Sequence, residues 1–331
     1  MCIRDRLGPI YSKDKTEFKV WAPTSKSVDL LIFNGDEVVQ KIPMTRGDKG
    51  VYSHTLDGDQ LGNIYMYDVH FSDKTNRSVD PYAKAVTVNG EKSVVANPLP
   101  TGVARPESKD IDNPIIYELH VRDLSSQSIS GIKDKGTFNG LVEKGTMTPT
   151  GQITGFDYIK SLGITHVQLL PIYDYKTVDE KNPQSGFNWG YDPLNYNSVE
   201  GSYSTDPYDP FKRIEELQNA IDEFHKEGLG VIMDVVYNHV FSPTDHAFEK
   251  IVPGYYFRQN ENGDFLGGTG VGNETASERA MVQRYIIDSI TYWAKTYNLD
   301  GFRFDLMGTH DIETMNKIYT CLLYTSDAAD E

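Results

Sequence analysis

The periodicity of apolar residues changes near Pro114, and this change divides the chain into two parts of different fold class. Before it, short runs alternate apolar and polar residues at a period of two, as over residues 65–71, and turn residues separate these runs. After it, strands of nearly continuous apolar residues alternate with amphipathic helical segments. The sequence therefore predicts a β domain followed by an α/β domain.

The amino-terminal part, residues 7–104, is predicted to form an immunoglobulin-like β-sandwich. Its turn signals recur about every eight to twelve residues, which is typical of that fold. The candidate strands cover residues 18–23, 28–33, 38–42, 51–56 and 65–71. Proline, glycine and charged residues over 100–113 indicate a linker or domain boundary.

The second part, residues 105–320, is predicted to hold about four β/α units, with parallel strands and the helices outside. The candidate strands are 115–121, 164–170, 229–236 and 301–306, and the candidate helices are 155–162, 210–227, 276–297 and 310–319. A complete TIM (β/α)8 barrel has twice as many units, so we predict the first half of such a barrel. Two long loops, 173–208 and 238–274, follow strand ends, where barrel enzymes build their sites.

The two terminal segments, residues 1–6 and 321–331, look foreign to the rest and are predicted to be non-native. They contain both cysteines, Cys2 and Cys321, so the remaining chain has no cysteine for disulfide or thiol chemistry. Because the true amino terminus is expected to be missing, the lack of a signal peptide leaves the compartment open.

The acidic balance of the chain restricts its partners. A formal charge of -16 repels phosphate backbones and argues against nucleic acid as a partner. No apolar run is long enough to span a membrane. A neutral polysaccharide, held by stacking and hydrogen bonds, agrees better with this charge and with the 21 tyrosines. We expect a monomer.

Polar residues end two of the predicted strands. Asp234 lies near the end of the third strand, and Arg303 and Asp305 lie near the end of the fourth. Since residues i and i+2 share a side of a strand, Arg303 and Asp305 are predicted to face the same side. A guanidinium keeps a neighbouring carboxylate ionised, as the nucleophile of a retaining glycosidase requires. The alternative is a purely structural ion pair.

Several motifs together resemble one enzyme family. Residues 234–239 (DVVYNH) and 301–306 (GFRFDL) resemble the first and second signature regions of the α-amylase superfamily, glycoside hydrolase family thirteen. The loop 187–193 (FNWGYDP) is close to the hallmark of type I pullulanases, and residues 272–279 and 307–317 are also similar to that family. The amino-terminal sandwich is similar to modules of carbohydrate-binding family forty-eight.

This resemblance implies roles for individual residues. Asp305 is the implied catalytic nucleophile, and Arg303 would orient it and keep it charged. Tyr191 would stack on the sugar whose bond is cut. Asp234 would support the arrangement of Arg303 and Asp305, and His239 would hydrogen-bond the same sugar.

The resemblance also bears on cofactors and on the loop. No cofactor is required, but Asn238 lies where many amylases bind calcium, so calcium is a possible ligand. Trp189 would either stack on sugar or act as a wedge that fixes the loop. Asp192 is expected to brace the loop, and His120 is expected to be a core or rim residue.

The implied activity is hydrolysis of α-1,6-glucosidic linkages in pullulan, amylopectin or glycogen-derived dextrins by a retaining double displacement. The resemblance covers nearly all of residues 7–320 and implies a general acid after strand five and a further carboxylate after strand seven, neither of which this sequence contains. We therefore expect this polypeptide to be inactive, although its parent is an enzyme. Two alternatives stay open: another debranching or branching member of the superfamily, and a non-catalytic α-glucan-binding protein.

Overall fold

A computed structural model describes residues 6–106 and 113–327 of the 331-residue chain. Residues 1–5 and 328–331, which belong to the segments predicted to be foreign, and the middle of the predicted linker lie outside the described residues. The prediction that the terminal segments are non-native therefore stays a prediction. Within the described ranges, no helix is long and apolar enough to cross a membrane.

The amino-terminal part is a β-sandwich, as predicted. Alternation buries one face of its strands, with Phe18 and Val20 inside on one strand and Leu30 and Ile32 inside on the next. In chain order the strands are β1 (Gly8–Tyr11), β2 (Lys15–Trp21), β3 (Ser27–Asn34), β4 (Glu37–Pro43), β5 (Thr45–Arg46), β6 (Val51–Asp57), β7 (Ile64–His70), β8 (Thr75–Ser78), β9 (Ala85–Val86) and β10 (Ser93–Val94). One sheet has the order β1-β2-β6-β5, and the other has the order β4-β3-β7-β10-β9 with β8 paired to β7.

The second part begins an α/β domain whose main sheet is parallel. Its strands are β11 (Ile116–Leu119), β12 (His166–Leu169), β13 (Tyr173–Tyr175), β14 (Pro193–Val199), β15 (Gly230–Val235) and β16 (Gly301–Phe304). Its helices are α1 (Val121–Ser126), α2 (Phe138–Leu141), α3 (Gly155–Ser161), α4 (Lys212–Lys226), α5 (Ala247–Ile251), α6 (Ala280–Thr296) and α7 (Ile312–Asp327). Strands β11, β12, β15 and β16 are parallel neighbours in chain order, as at the start of a barrel, whereas β13 and β14 form an antiparallel pair.

Each strand of the parallel sheet ends earlier than the apolar pattern predicts. The first stops at Leu119 because His120 caps α1, where the backbone N–H of Asp123 donates to His120 Nδ1 at 3.3 Å. The fourth stops at Phe304, and Leu306 then adopts a left-handed conformation with a φ of 45°. Asp305 therefore stands on the turn after β16 rather than within the strand.

The two long loops contain regular elements of their own. The first, residues 173–208, holds the antiparallel pair β13 and β14, and the second, residues 238–274, holds α5. The sequence did not predict these elements, because each is short and its packing partners lie far away along the chain. Both loops start at the carboxyl ends of parallel strands, so they stand at the same edge of the sheet.

The sandwich packs directly on the α/β part. The ring of Trp21 lies edge-to-face against Tyr255, with 5.0 Å between the ring centroids. On β14 of the α/β part, the Asn197 side chain donates to the carbonyl of Pro81 in the sandwich at 3.3 Å. The Tyr285 hydroxyl on α6 donates to the same oxygen at 2.7 Å. Strand β14, which lies within the first loop, is therefore held against the sandwich.

Candidate active site

Three charged residues meet at the carboxyl ends of two neighbouring strands. Asp234 on β15 pairs in register with Arg303 on β16, so both side chains project on the same side of the sheet. Arg303 Nη1 lies 3.0 Å from each oxygen of Asp234 and 3.0 Å from Asp305 Oδ1. As alternation along the strand predicts, Arg303 and Asp305 stand side by side. One guanidinium nitrogen thus bridges two carboxylates and fixes their separation.

The two carboxylates differ in their surroundings. Asp234 is fully buried, and burial raises its pKa despite hydrogen bonds from Tyr191 and Arg303. The side chain of Asp305 keeps 16% of its surface exposed, and one edge of it is reached by the Asn238 amide, whose Nδ2 donates to Oδ2 at 3.0 Å. Asp305 is therefore the more accessible of the two carboxylates to an incoming ligand.

Tyr191 connects the first loop to this charged group. Its hydroxyl donates to Asp234 Oδ2 at 2.6 Å. The preceding Gly190 has a φ of 91°, and a Cβ there would lie 2.9 Å from Pro171 Cβ and 3.0 Å from Pro171 O. Only glycine accepts both the left-handed backbone and this close approach. The tight turn at Gly190 brings Tyr191 over the carboxyl ends of β15 and β16.

Asp192 braces this loop, as expected from the sequence. Its Oδ2 accepts hydrogen bonds from the backbone N–H and the hydroxyl of Thr177 at 3.1 and 2.7 Å, and its Oδ1 accepts from Asn188 Nδ2 at 2.6 Å. His120 supports the same loop from below, because its Nε2 lies 2.8 Å from the Asn188 carbonyl and 3.1 Å from the Tyr203 hydroxyl. Burial lowers the pKa of His120, which suits a neutral, structural imidazole.

His239 and Asn238 contact protein groups rather than standing free. His239 Nε2 lies 2.8 Å from the carbonyl of Tyr191, and its Nδ1 lies 2.5 Å from Asn238 Oδ1. The predicted hydrogen bond from His239 to sugar would therefore have to replace one of these contacts. Asn238 Nδ2 donates to the carbonyl and to Oδ2 of Asp305. Both residues thus hold the loop and the turn that follows β16 together.

Trp189 and Phe187 are exposed aromatic residues beside the charged group. They line an open depression of about 540 Å³ together with Tyr191 and the bracing residues of the loop. The side chain of Trp189 is 62% exposed and that of Phe187 is 48% exposed. This exposure favours the stacking interpretation of Trp189 over the wedge interpretation, and both stay predictions. Flat exposed rings next to a carboxylate suit stacking against sugar.

A buried acidic cluster behind the first loop was missed by the sequence reasoning. Asp174, Glu180 and Glu200 each offer a carboxylate oxygen within 4.8 Å of the others and could hold a metal ion. Burial, followed by repulsion from Glu180, raises the pKa of Asp174 well above its usual range and that of Glu200 to about 8. The fully buried Arg213 binds both oxygens of Glu180, at 3.1 and 2.8 Å.

Carboxylate oxygens are the ligand type that a hard cation prefers, but this cluster offers too few of them. Calcium takes roughly six to eight oxygen ligands. Among the carboxylate oxygens of Asp174, Glu180 and Glu200, Oδ1 of Asp174 is the one without a hydrogen-bond donor from the described residues, since both oxygens of Glu180 and both oxygens of Glu200 accept N–H groups. Asn238, the position suggested by the resemblance, contacts Asp305 and takes no part in the cluster. Arg213 already supplies one positive charge here.

Comparison with known proteins identifies the two parts. The family model "Carbohydrate-binding module 48 (Isoamylase N-terminal domain)" matches residues 6–83, and the model "Alpha amylase, catalytic domain" matches residues 110–269. The fold and the site therefore define a carbohydrate-binding module joined to the start of an α-amylase-type catalytic domain. The second part of the chain matches the α-amylase catalytic family, and the predicted resemblance of the chain to the type I pullulanases is confirmed.

The similarity extends over almost the whole chain. The pullulanase of Bacillus subtilis (strain 168) is 46% identical over 312 residues, which cover 93% of this chain and 43% of that protein. The crystal structure of pullulanase from Paenibacillus barengoltzii, complexed with maltohexaose and alpha-cyclodextrin, superimposes with a TM-score of 0.93 at 48% identity and covers 96% of this chain and 51% of that one. The structure of pullulanase type I from Bacillus subtilis complexed with maltose gives 0.91 at 45% identity, with coverages of 96% and 45%. The chain thus spans about half the length of these relatives.

Proposed function

We propose that the full-length parent of this polypeptide hydrolyses α-1,6-glucosidic linkages in pullulan, amylopectin or glycogen-derived dextrins. The observation that carries this proposal is the bridging of Asp234 and Asp305 by Arg303 beside exposed aromatic rings. A charged carboxylate at the edge of a stacking surface is the arrangement that attack on an anomeric carbon requires. The relatives named pullulanases support the choice of linkage.

The reaction follows a retaining double displacement. Asp305 Oδ attacks the anomeric carbon, the bond to the glycosidic oxygen breaks, and that oxygen takes a proton from a general acid. Water then attacks the anomeric carbon of the glycosyl-enzyme ester and gives a proton to the deprotonated general acid. The bond to Asp305 breaks, and the sugar leaves with retained configuration. Arg303 orients the carboxylate before attack, and Tyr191 contributes a ring face to the sugar.

We further propose that the 331-residue polypeptide alone does not turn over substrate. Within the described ranges, Asp234 is the carboxylate that shares a hydrogen-bond partner with Asp305, and both of its oxygens are held by Arg303 and Tyr191. It is therefore a poor proton donor to a leaving oxygen. Hydrolysis of pullulan by the purified polypeptide that is abolished by Asp305→Asn would overturn this proposal.

The polypeptide is nevertheless proposed to bind α-glucan oligosaccharides as a monomer. The exposed rings of Phe187 and Trp189 favour this candidate function, because stacking does not depend on a general acid. Titration calorimetry with maltotetraose, run beside light scattering, tests both parts. Saturable binding to a monomer is expected, whereas no heat of binding or a stable dimer would contradict the proposal.

The catalytic proposal is tested in a completed enzyme, defined as residues 7–320 of this chain joined to the carboxy-terminal remainder of the Bacillus subtilis pullulanase. Release of maltotriose from pullulan is expected, and Asp305→Asn should lower it by about three orders of magnitude or more. Asp192→Asn is the matched control, since it changes a bracing carboxylate of the loop that does not touch Arg303 or Asp305. Equal loss in both variants would contradict a nucleophilic role for Asp305.

The reaction is proposed to need no metal, although calcium remains a possible ligand of the chain. Arg213 supplies the charge that a cation would otherwise bring to the buried acidic cluster. The mechanism above uses none of the oxygens of that cluster.

A further inference from the structure

A cavity of about 380 Å³ lies between the sandwich and helix α6, apart from the site around Asp305. Strand β1 and the residues around Lys84 contribute one wall, and α6 contributes the opposite wall. None of the residues that bind Asp305, and none of residues 187–193, lines it. No role in the proposed hydrolysis accounts for this cavity.

Basic side chains outnumber acidic ones around the cavity. Lys84, Arg284 and Lys295 line it beside a single carboxylate, that of Asp288. Asp288 is already bound by Arg284 and by the Tyr82 hydroxyl, at 3.4 Å each. The Asp288 carboxylate is therefore not an ion-pair partner of Lys84. In a chain with a formal charge of -16, such a basic concentration is a local exception.

Lys84 is the basic group that most needs a partner. Within the described ranges its Nζ forms no hydrogen bond or ion pair, and its one recorded contact is with the Tyr292 ring, 5.4 Å from the ring centroid. Burial lowers the pKa of Lys84, as does the charge of Arg6. Taking an ammonium group out of water without a counter-charge costs free energy, and a bound anion removes that cost. Arg6 also lines the cavity, although it belongs to the segment predicted to be foreign.

The rest of the lining fits an anion with an organic part. The Thr291 hydroxyl is buried without a hydrogen-bond partner among the described residues and stands ready to donate. Leu99 and Ile10 add apolar surface. The volume falls in the range of roughly 300–1,000 Å³ that is typical of small-molecule sites, and it exceeds what a single phosphate ion fills.

We propose that this cavity binds a small phosphate monoester, with the phosphate beside Lys84 and Thr291 and the organic part against the apolar wall. A phosphate offers the charge that Lys84 lacks and an acceptor for the Thr291 hydroxyl. The site is independent of the proposed hydrolysis, so failure of one proposal leaves the other intact.

The test is titration calorimetry of the 331-residue chain with glucose 1-phosphate, beside neutral glucose. Saturable binding of the phosphate ester is expected, and Lys84→Met should weaken it roughly tenfold while keeping the apolar stem in place. Lys26→Met changes an exposed lysine of the sandwich outside the cavity and should leave binding unchanged. Thr291→Val, which keeps the shape of the side chain, should weaken binding several-fold and replaces Lys84→Met if that variant fails to fold.

Three results would overturn the proposal. The first is the absence of saturable binding by the unaltered chain up to millimolar glucose 1-phosphate. The second is an affinity in the cavity variants that equals that of Lys26→Met. The third is binding of neutral glucose as tight as that of its phosphate, because the expected preference depends on the charge of Lys84.

Discussion

Arg303 holds Asp305 in place: Nη1 of the arginine lies 3.0 Å from Oδ1 of the aspartate. The same nitrogen contacts both oxygens of the buried Asp234. The buried carboxylate of Asp234 and the accessible carboxylate of Asp305 are therefore positioned by the same guanidinium. This coupling leads to the first prediction, because a side chain that carries its charge on a flexible stem, without the rigid planar guanidinium, should fail to hold both partners.

Arg303→Lys in the completed enzyme is expected to lower kcat by about a hundredfold while changing KM little, since the lysine keeps the charge but loses the fixed geometry. Arg46→Lys, on the exposed surface of the sandwich, is the control and should leave both constants unchanged. Steady-state kinetics on pullulan measure the effect. A variant that differs from the unaltered enzyme only in KM would show that Arg303 binds substrate rather than orienting Asp305.

Tyr191→Phe removes the hydroxyl that donates to Asp234 and leaves the ring. The free energy of unfolding of the 331-residue chain should fall by about 1–3 kcal/mol, because a buried carboxylate loses a donor. Tyr117→Phe is matched to it, since the Tyr117 hydroxyl makes no hydrogen bond among the described residues. Urea titrations of the two variants give the difference. Equal free energies of unfolding for Tyr191→Phe and Tyr117→Phe would contradict this prediction, because water would then replace the Tyr191 hydroxyl without a loss of stability.

Trp189→Ala should weaken maltotetraose binding about three- to tenfold without lowering stability, because the ring is 62% exposed and has little packing to lose. Tyr208→Ala, at a site where the ring is 66% exposed but outside the depression, serves as the control. Calorimetric titration distinguishes the two. If Trp189→Ala lowers the free energy of unfolding by as much as it lowers the free energy of binding, the interpretation of Trp189 as a wedge that fixes the loop would be favoured instead.

The buried acidic cluster should make stability depend on pH. A carboxyl group whose pKa is higher in the folded chain than in the unfolded chain binds more protons when the chain is folded. The free energy of unfolding therefore falls as the pH rises from the unfolded pKa toward the folded pKa. For Glu200 that window runs from 4.5 to about 8. The pKa of Asp174 is raised in the same direction.

Asp174→Asn should therefore stabilise the chain at a pH above the usual pKa of an aspartate and change its stability little below that pH. The asparagine Oδ1 can still accept from Asn195, and its amide replaces the oxygen that lacks a donor. Asp14→Asn, on an exposed turn, should show no such pH dependence. Denaturant midpoints across the window measure this. A destabilised Asp174→Asn protein at high pH would indicate that the carboxylate is ionised and useful there.

Chelation tests the proposal that no metal is needed. Dialysis against EDTA should leave the Tm of the chain unchanged, and added calcium should not raise it, because Arg213 already neutralises part of the cluster. A rise in Tm with calcium concentration that disappears in Asp174→Asn would contradict this expectation and place a cation at the free oxygen of Asp174.

The sequence predicted those features that depend on local pattern. Period-two alternation defined the sandwich, and the spacing of Arg303 and Asp305 defined their shared side. Strand ends were placed too late, because residues such as Leu306 are apolar and only their backbone conformation, a φ of 45°, ends the strand. The count of barrel units in the whole protein stays a prediction.

Contacts between distant segments could not be predicted in the same way. The cluster joins residues that are far apart in the sequence, namely Asp174, Glu200 and Arg213. The residues next to each of them in the sequence do not indicate that the three side chains meet in the core. The contact between His239 and the Tyr191 carbonyl joins two loops whose relative placement depends on the tertiary fold.

The measurement that tests the central claim most directly is the product analysis of the completed enzyme on pullulan and on linear amylose. Maltotriose from pullulan, no cleavage of amylose, and loss of the activity in Asp305→Asn are the results that this account predicts. Cleavage of amylose in place of pullulan, or pullulan hydrolysis that survives Asp305→Asn, would contradict it.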